Sequence, residues 1–219
     1  MNPDRRRIVL AAGLAPLAAL APGHALAQQV PMPVRDYTVL NPEQPVDTVG
    51  KVEVLEFFWY GCPHCYNLQP FIEKWVKTLP EDAVLRQVPA IFNERWARDA
   101  ATFYTFEALG VLARVHRPFF DAIHRDRLKT DDPAALTAWL GKQGIEVKKF
   151  DDAAKSFGVQ SKVRRAAQLT RAYRIEGTPT LAVQGHYTIS AEQGGSQAGM
   201  LATADHLIGL ARKSLAGRK

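Results

Sequence analysis

Residues Val54–Tyr66 read VLEFFWYGCPHCY, and this stretch decides the fold. The apolar run Val52–Trp59 is rich in β-branched and aromatic residues, which is typical of a strand buried on both faces. Pro63 has the fixed φ of a first helical turn and lacks an N–H group that would be unpaired there. We therefore predict a central strand followed by a helix from Cys62 to about Leu79.

The rest of the chain supplies further strands and a long helical block. Strand patterns occur at 37–39, 83–88, 180–183 and 186–189, the last two joined by a candidate tight turn at Gln184-Gly185. Helix signals begin near Asn93, Pro118 and Asp132 and recur at 150–157, 163–173 and 200–215. Residues 190–199 are expected to form a loop. This order predicts an α/β chain with a thioredoxin-like fold and an inserted all-helical domain.

The predicted domain organisation begins with a signal peptide at residues 1–27. Arg5-Arg6-Arg7 precedes an apolar run, and Ala25-Leu26-Ala27 supplies the small residues that a signal peptidase requires. The run is too short and too interrupted for a membrane anchor, while the arginines leave a twin-arginine export route open. We expect the thioredoxin-like domain to comprise 28–92 and 163–219, with the helical insert at 93–162.

The composition limits the classes of function. The chain has 219 residues, of which 47% are hydrophobic, and this suffices for a sizeable core. The formal net charge of +6 is not concentrated in Lys/Arg runs interleaved with aromatic residues, so nucleic-acid binding is not expected. The two cysteines are too few for a disulfide framework, which indicates that they carry local chemistry. No cofactor and no metal are predicted.

Cys62 and Cys65 are candidates for a redox-active pair. Two thiols separated by two residues at a helix start can close a small disulfide ring and reopen it by thiolate exchange. The helix N-terminus and His64 are expected to stabilise the Cys62 thiolate, which leaves Cys65 as the buried resolving thiol. An inert structural disulfide is an alternative, although so small a ring removes little chain entropy. A zinc site is a second alternative, and it would need two further ligands from His116, His124, His186 and His206.

Glu56 is a carboxylate in the middle of the predicted buried strand. Burial without a partner is costly, so we expect it to be paired or to titrate with a raised pKa. It precedes Cys62 by six residues and is expected beneath the active-site helix, where it could exchange a proton with Cys65. The alternative is a strand-edge residue that points to solvent. Arg86 on the neighbouring strand is a weak candidate for its charge partner.

Gly177-Thr178-Pro179 joins the helical block to the predicted hairpin. Pro179 is a candidate for a cis peptide bond, although the spacing alone leaves a trans turn open. At this point a resemblance adds to the argument: Val54–Tyr66 is similar to the DsbA family, and Gly177-Thr178-Pro179 looks like that family's cis-proline loop, which faces the cysteines. The similarity extends from about residue 45 to the C-terminus, with the helical insert in the family's position.

The resemblance implies a periplasmic thiol:disulfide oxidoreductase that forms disulfides in newly exported proteins. It also implies reoxidation by a quinone-linked membrane partner of the DsbB type. By position, Cys62 is the thiol that exchanges with substrate and Cys65 is the resolving thiol, with Pro63 and His64 between them. The resemblance further implies that His64 tunes the thiolate, that Glu56 is the buried proton-transfer residue, and that the loop Gly177-Thr178-Pro179 pairs with the substrate backbone.

Two departures from the family pattern bear on partner preference. Thr178 stands where enteric members carry valine and resembles the isomerase members instead, and only Arg86 lies near the place of the family's buried lysine. A disulfide isomerase is therefore an alternative, but it normally needs a dimerisation domain, so a monomer is expected here. A periplasmic chaperone that grips peptides without exchange chemistry is a second alternative, and it would require both cysteines to be dispensable.

Overall fold

A mixed sheet of five strands forms the centre of the molecule in a computed structural model that describes residues 30–217. The strands run in the order β1-β5-β4-β2-β3. Only β2 and β3 are parallel, and the other neighbouring pairs are antiparallel. The strand bounds are β1 Thr38–Val39, β2 Val52–Phe58, β3 Ala83–Pro89, β4 Thr180–Val183 and β5 Tyr187–Ser190.

Eight α-helices surround this sheet in the described part of the chain. Helix α1 continues into a single 3-10 turn at Val76–Thr78. Helices α2 to α6 lie between β3 and β4 in sequence, as the inserted helical block predicts. The helix bounds are α1 Pro63–Trp75, α2 Glu94–Ala108, α3 Leu112–His124, α4 Pro133–Lys142, α5 Val147–Ala154, α6 Phe157–Ala172, α7 Ala191–Gly194 and α8 Gln197–Gly217.

Strand β2 is central because it can be buried on both faces. All seven of its residues are buried, as its apolar sequence predicts. Val52 and Val54 belong to a core formed with α1 and α8, while Leu55 and Phe57 belong to a second core formed with the helical block. Side chains of a strand alternate between faces, so this one strand connects the two cores and fixes where α1 begins.

The β4–β5 hairpin turns at the predicted dipeptide. Gln184 and Gly185 have φ values of 52° and 66°, the left-handed region that a two-residue hairpin turn requires. The backbone N–H of Gln44 donates to the Gly185 carbonyl oxygen at 2.8 Å, and a Cβ at position 185 would collide with the Gln44 backbone. Glycine is therefore required here both by the turn and by the close approach of a neighbouring segment.

Helix caps explain where the sequence predictions succeed and where they are wrong. Asn93 and Asp132 accept backbone N–H bonds as the N-caps of α2 and α4, which confirms those starts. The predicted bounds of the helix at 150–157 are wrong, because α5 spans Val147–Ala154 and Ser156 caps a new helix through Val159 N–H. Helix α6 consequently crosses the expected domain boundary between residues 162 and 163.

The predicted loop at residues 190–199 is also wrong. Ser190 and Gln193 form a reciprocal capping box that starts the short helix α7. Gly195, with a φ of 63°, lies at the end of α7, and α8 begins at Gln197 rather than near residue 200. Helix α1 ends at Trp75, slightly before the predicted end.

The expected signal peptide at residues 1–27 lies outside the described residues. Between residues 30 and 217, none of the helices combines the length and the apolar character needed to cross a membrane.

Candidate active site

The Cys62-Pro63-His64-Cys65 motif lies where β2 ends and α1 begins. Cys62 is the N-cap residue of α1 and Pro63 occupies its first turn, as the sequence predicts. The backbone N–H of Cys62 donates to the Trp59 carbonyl oxygen at 3.0 Å, which fixes the turn that leads out of the strand. Both cysteines are free thiols, so the described state is the reduced one.

The environment of Cys62 favours its thiolate. A hydrogen bond from the Cys65 thiol is the largest cause that lowers the pKa of Cys62 to about 5, and burial opposes it. Hydrogen bonds from the Thr178 side chain and from the backbone N–H groups of Cys65 and His64 lower this pKa further. These backbone groups are the unpaired donors at a helix start, which the sequence argument anticipated. The imidazole of His64 is exposed.

Cys65 has the opposite character. It is fully buried, and burial is the main cause that raises its pKa well above the ordinary value. The hydrogen bond that it gives to Cys62 raises this pKa further, and so does the negative charge of Glu56. The two sulfur atoms therefore differ strongly in acidity although only two residues separate them.

The Gly177-Thr178-Pro179 loop faces the cysteines across the start of α1. The Thr178–Pro179 peptide bond is cis, which confirms the prediction for Pro179. The Cys62 thiol donates to the Thr178 backbone carbonyl oxygen at 3.3 Å, and the Thr180 hydroxyl donates to the Gly177 carbonyl oxygen at 2.8 Å. A cavity of about 160 Å³ next to this loop is lined in part by His64, Leu68, Pro179 and Met200.

Glu56 lies beneath α1, as predicted, and it is fully buried. Its two carboxyl oxygens accept hydrogen bonds from the side-chain amides of Gln69 on α1 and Gln87 on β3, at 3.0 and 2.8 Å. Burial raises the pKa of Glu56 to about 7, and the two amides partly oppose this effect. The alternative of a solvent-facing carboxylate is therefore wrong.

Arg86, the weak candidate for a charge partner of Glu56, pairs with other carboxylates. Arg86 bonds to Glu53 at 2.6 Å and to Asp47 at 3.1 Å. In the parallel register Glu56 is opposite Gln87, whereas Arg86 is opposite Leu55. Successive side chains of a strand point to opposite faces, so Arg86 is directed away from the face that α1 covers.

Comparison with known proteins agrees with this geometry. A family model described as a DSBA-like thioredoxin domain matches residues 78–204. The thiol:disulfide interchange protein DsbA of Bordetella parapertussis is 42% identical over 210 residues, which cover 94% of this chain and 97% of the relative. The corresponding protein of Azotobacter vinelandii is 39% identical over 206 residues, which cover 93% and 96% of the two chains.

The chain belongs to the DsbA family. The crystal structure of Pseudomonas aeruginosa DsbA superposes with a TM-score of 0.78 at 35% sequence identity and covers 84% of this chain and 95% of that one. The predicted thioredoxin-like fold with a helical insertion is confirmed. Membership in this family also makes the protein a thiol:disulfide oxidoreductase.

Sequence reasoning missed part of the surroundings of the site in this DsbA-family chain. His116 on α3 had been considered only as a metal ligand, but its ring contacts the Tyr60 hydroxyl at 2.8 Å and the Gln87 amide at 3.1 Å. Neither residue could be found from the sequence. Gln87 is opposite Glu56 in only one register of β2 and β3, and nothing in the sequence shows how the helical block docks on the sheet.

An aromatic group next to Cys62 was also not predicted. The Trp59 indole packs on Gly61, where any Cβ would collide with its ring. The ring is stacked on Trp96 with centroids 4.3 Å apart, and its N–H donates to the Asp99 carboxylate at 2.7 Å. Glycine at position 61 is therefore required by close packing, and the packing joins the redox motif to α2.

Two of the histidines considered as zinc ligands have other partners. His124 contacts the Tyr60 carbonyl oxygen at 2.8 Å, and His186 contacts the Glu43 carboxylate at 2.7 Å. Among residues 30–217, no group of three or more His, Cys, Asp and Glu side chains is arranged to hold a metal ion.

Proposed function

We propose that the protein donates a Cys62–Cys65 disulfide to newly exported proteins in the periplasm. The observation that carries this proposal is the contrast between the lowered pKa of Cys62 and the raised pKa of Cys65. Whatever stabilises the Cys62 thiolate stabilises the reduced protein relative to its disulfide, and the disulfide is then a stronger oxidant.

The proposed reaction has two exchange steps. A substrate thiolate attacks Cys62 of the disulfide, the Cys62–Cys65 bond breaks, and Cys65 leaves with the electron pair. A second substrate thiolate then attacks the substrate sulfur of this mixed disulfide, which forms the substrate disulfide and releases the Cys62 thiolate. Two electrons pass from the substrate dithiol to the protein. The low pKa of Cys62 favours its departure in the second step.

We assign Glu56 the role of proton donor to Cys65 in the first step. Cys65 has a raised pKa and therefore needs a proton when it leaves, and a carboxyl group with a pKa of about 7 can supply one near neutral pH. The negative charge of Glu56 is one of the causes that raise the pKa of Cys65, which supports a role in proton exchange between the two groups. Pro63 begins the helix, and the hydrogen bond from the His64 backbone N–H stabilises the Cys62 thiolate.

The Gly177-Thr178-Pro179 loop is proposed to bind the substrate backbone beside Cys62. The contact between Cys62 and the Thr178 carbonyl oxygen supports this role, because it puts backbone hydrogen-bonding groups next to the exchanging sulfur. We further propose that the predicted signal peptide directs export of the protein and that the protein acts as a monomer. A DsbB-type membrane partner is proposed to reoxidise it.

The test is to equilibrate the purified protein with glutathione redox buffers and, in parallel, to follow oxidation of a reduced, unfolded secreted protein. We expect the protein to remain reduced at glutathione ratios that oxidise ordinary dithiols, and its oxidised form to transfer one disulfide per molecule. Light scattering is expected to give the mass of one chain. A weakly oxidising potential, together with a dimer that rearranges wrong disulfides, would favour the isomerase alternative.

The membrane partner is tested separately. Membranes that contain a DsbB-type protein and quinone should reoxidise the reduced protein, and membranes without that protein serve as the control. Equal rates with both membranes would exclude this route of reoxidation.

A further inference from the structure

A chain of hydrogen bonds runs from Glu56 to Tyr60 through two residues outside the redox motif. Gln87 Nε2 donates to Glu56 Oε2 at 2.8 Å and lies 3.1 Å from His116 Nε2. The other ring nitrogen of His116, Nδ1, lies 2.8 Å from the Tyr60 hydroxyl. A histidine of the helical block is thus linked to the buried carboxylate through a single amide group.

With the Gln87 amide nitrogen toward Glu56, as the structure has it, the donors and acceptors in this chain fit together in one way. An amide nitrogen only donates, so His116 Nε2 must accept from Gln87. Burial, with a smaller effect of Arg117, lowers the pKa of His116 to about 3, and the ring is therefore neutral at physiological pH. A neutral imidazole that accepts at Nε2 carries its proton on Nδ1, which donates to the Tyr60 oxygen.

We propose that His116, as the neutral Nδ1–H tautomer, is a positioning residue that fixes the orientation of the Gln87 amide and thereby controls the protonation of Glu56. Its Nε2 acceptor holds the NH₂ side of Gln87 toward the carboxylate. An NH₂ donor stabilises the ionised form of Glu56, whereas an amide carbonyl oxygen in that place would stabilise the protonated form. Removing the acceptor frees the amide to rotate, and Glu56 then keeps its proton to a higher pH.

Groups from α1, β3 and β4 face Glu56. These groups are Gln69 and Cys65 from α1, Gln87 from β3 and Leu181 as the register partner on β4. Arg117 is the charged group that acts on the His116 ring. Gln87 is the amide whose second N–H has its own acceptor, so its direction is constrained from both sides.

The first measurement needs no substitution. The reduced protein is labelled with ¹⁵N-histidine, and the Nδ1 and Nε2 chemical shifts report which ring nitrogen of His116 carries the proton. The Glu56 carboxyl ¹³C shift, followed across the pH range, gives the pKa of that group. We expect a protonated Nδ1 and an unprotonated Nε2 above the Glu56 titration. A proton on Nε2 under those conditions overturns the proposal.

The second measurement compares three variants by the same carboxyl signal. His116→Phe removes the acceptor and should raise the pKa of Glu56 by about one pH unit. His116→Gln keeps an acceptor oxygen at a similar distance from the backbone and should restore the original value. His124→Phe is the matched control, since His124 is on the same helix but contacts the Tyr60 carbonyl oxygen, and it should leave the Glu56 pKa unchanged.

An unchanged Glu56 pKa in His116→Phe overturns the positioning role, and so does an equal shift in His124→Phe. The effect of His116 on catalysis rests on the proposed proton-transfer role of Glu56, whereas its effect on the Glu56 pKa does not. Thiol exchange rates measured on the same variants test that role, while the resonance measurements test the positioning, so the failure of one is distinguishable from the failure of the other.

Discussion

The Cys62 thiol lies 3.3 Å from the backbone carbonyl oxygen of Thr178, 116 residues further along the chain. This contact connects the start of α1 to the loop that leads into β4. The Thr178 side chain acts on the same sulfur, because its hydrogen bond lowers the pKa of Cys62. A substitution at position 178 should therefore alter the chemistry of Cys62 without changing the redox motif itself.

Thr178→Val removes the hydroxyl group and keeps the branched shape of the side chain. We expect the pKa of Cys62 to rise by roughly half a pH unit and mixed disulfides with substrate to resolve more slowly, because the leaving thiolate is less stable. Ultraviolet absorbance of the thiolate as a function of pH measures the pKa. Thr178→Ser retains the hydroxyl and is the control. Identical thiolate titrations in all three proteins would show that position 178 does not act on Cys62.

The two cysteines should respond differently to substitution. Cys62→Ser is expected to abolish oxidation of a reduced substrate, whereas Cys65→Ser should leave an accessible thiol at position 62 that accumulates mixed disulfides. In the reduced native protein, iodoacetamide should label Cys62 first, because Cys65 is fully buried with a raised pKa. Mass spectrometry of the alkylated peptides gives the order, and faster labelling of Cys65 would reverse the assignment.

The sequence was sufficient to predict the parts of the site that depend on local order. The apolar run before Cys62 predicts β2, and Pro63 predicts the helix start, because both follow from backbone geometry over a few residues. The burial of Glu56 follows from its place in that run. These features depend on neighbouring residues in the chain, and the structure confirms them.

The contacts that tune the site depend on tertiary docking and could not be predicted. The sequence does not show that α3 brings His116 to Gln87, or that Trp96 on α2 stacks on Trp59. The candidate pairing of Arg86 with Glu56 was wrong because of the strand register. A shift of one residue in strand register reverses the face of every side chain, and the register of β3 could not be derived from its weak alternation.

Glu56→Gln should slow thiol exchange without preventing folding. Glutamine has nearly the same shape as a protonated glutamic acid but cannot move a proton, so the departure of Cys65 should lose its proton source. We expect the rate of substrate oxidation to fall by about tenfold or more, with a weaker dependence on pH between 5 and 8. Stopped-flow fluorescence measures the rate. An unchanged rate over this range would exclude the proton-transfer role.

The same variant should change how stability depends on pH. The pKa of Glu56 is about 7 in the folded protein and ~4.3 in an unfolded chain, so the folded state binds the proton more tightly. The resulting stabilisation is complete below the unfolded value and is lost as pH rises through the folded one.

Relative to Glu56→Gln, the wild-type free energy of unfolding should therefore decrease by about 3 kcal/mol between pH 4 and pH 8. Urea unfolding of both reduced proteins at several pH values measures this difference. If the free energies of unfolding of the two proteins change with pH in the same way, Glu56 does not titrate with a raised pKa.

The reduced protein is expected to be more stable than the oxidised one at pH 7. In the reduced form the pKa of Cys62 is about 5, compared with ~8.5 in an unfolded chain, and the folded state therefore favours the thiolate. Because the folded pKa is depressed, this stabilisation is complete above the unfolded value and is lost as pH falls through the folded one. At pH 7 it amounts to about 3 kcal/mol.

The disulfide opposes this effect, but by a smaller amount. Closing a ring of four residues removes chain entropy worth ~2 kcal/mol in the unfolded state, less than the thiolate contributes at pH 7. Near pH 3 the Cys62 thiol is protonated in both states, so its contribution disappears and the oxidised form should become the more stable one. Calorimetry of both redox forms at pH 7 and pH 3 measures the two differences. An oxidised form that unfolds at the higher temperature at both pH values would contradict the thiolate stabilisation on which the proposed direction of disulfide transfer depends.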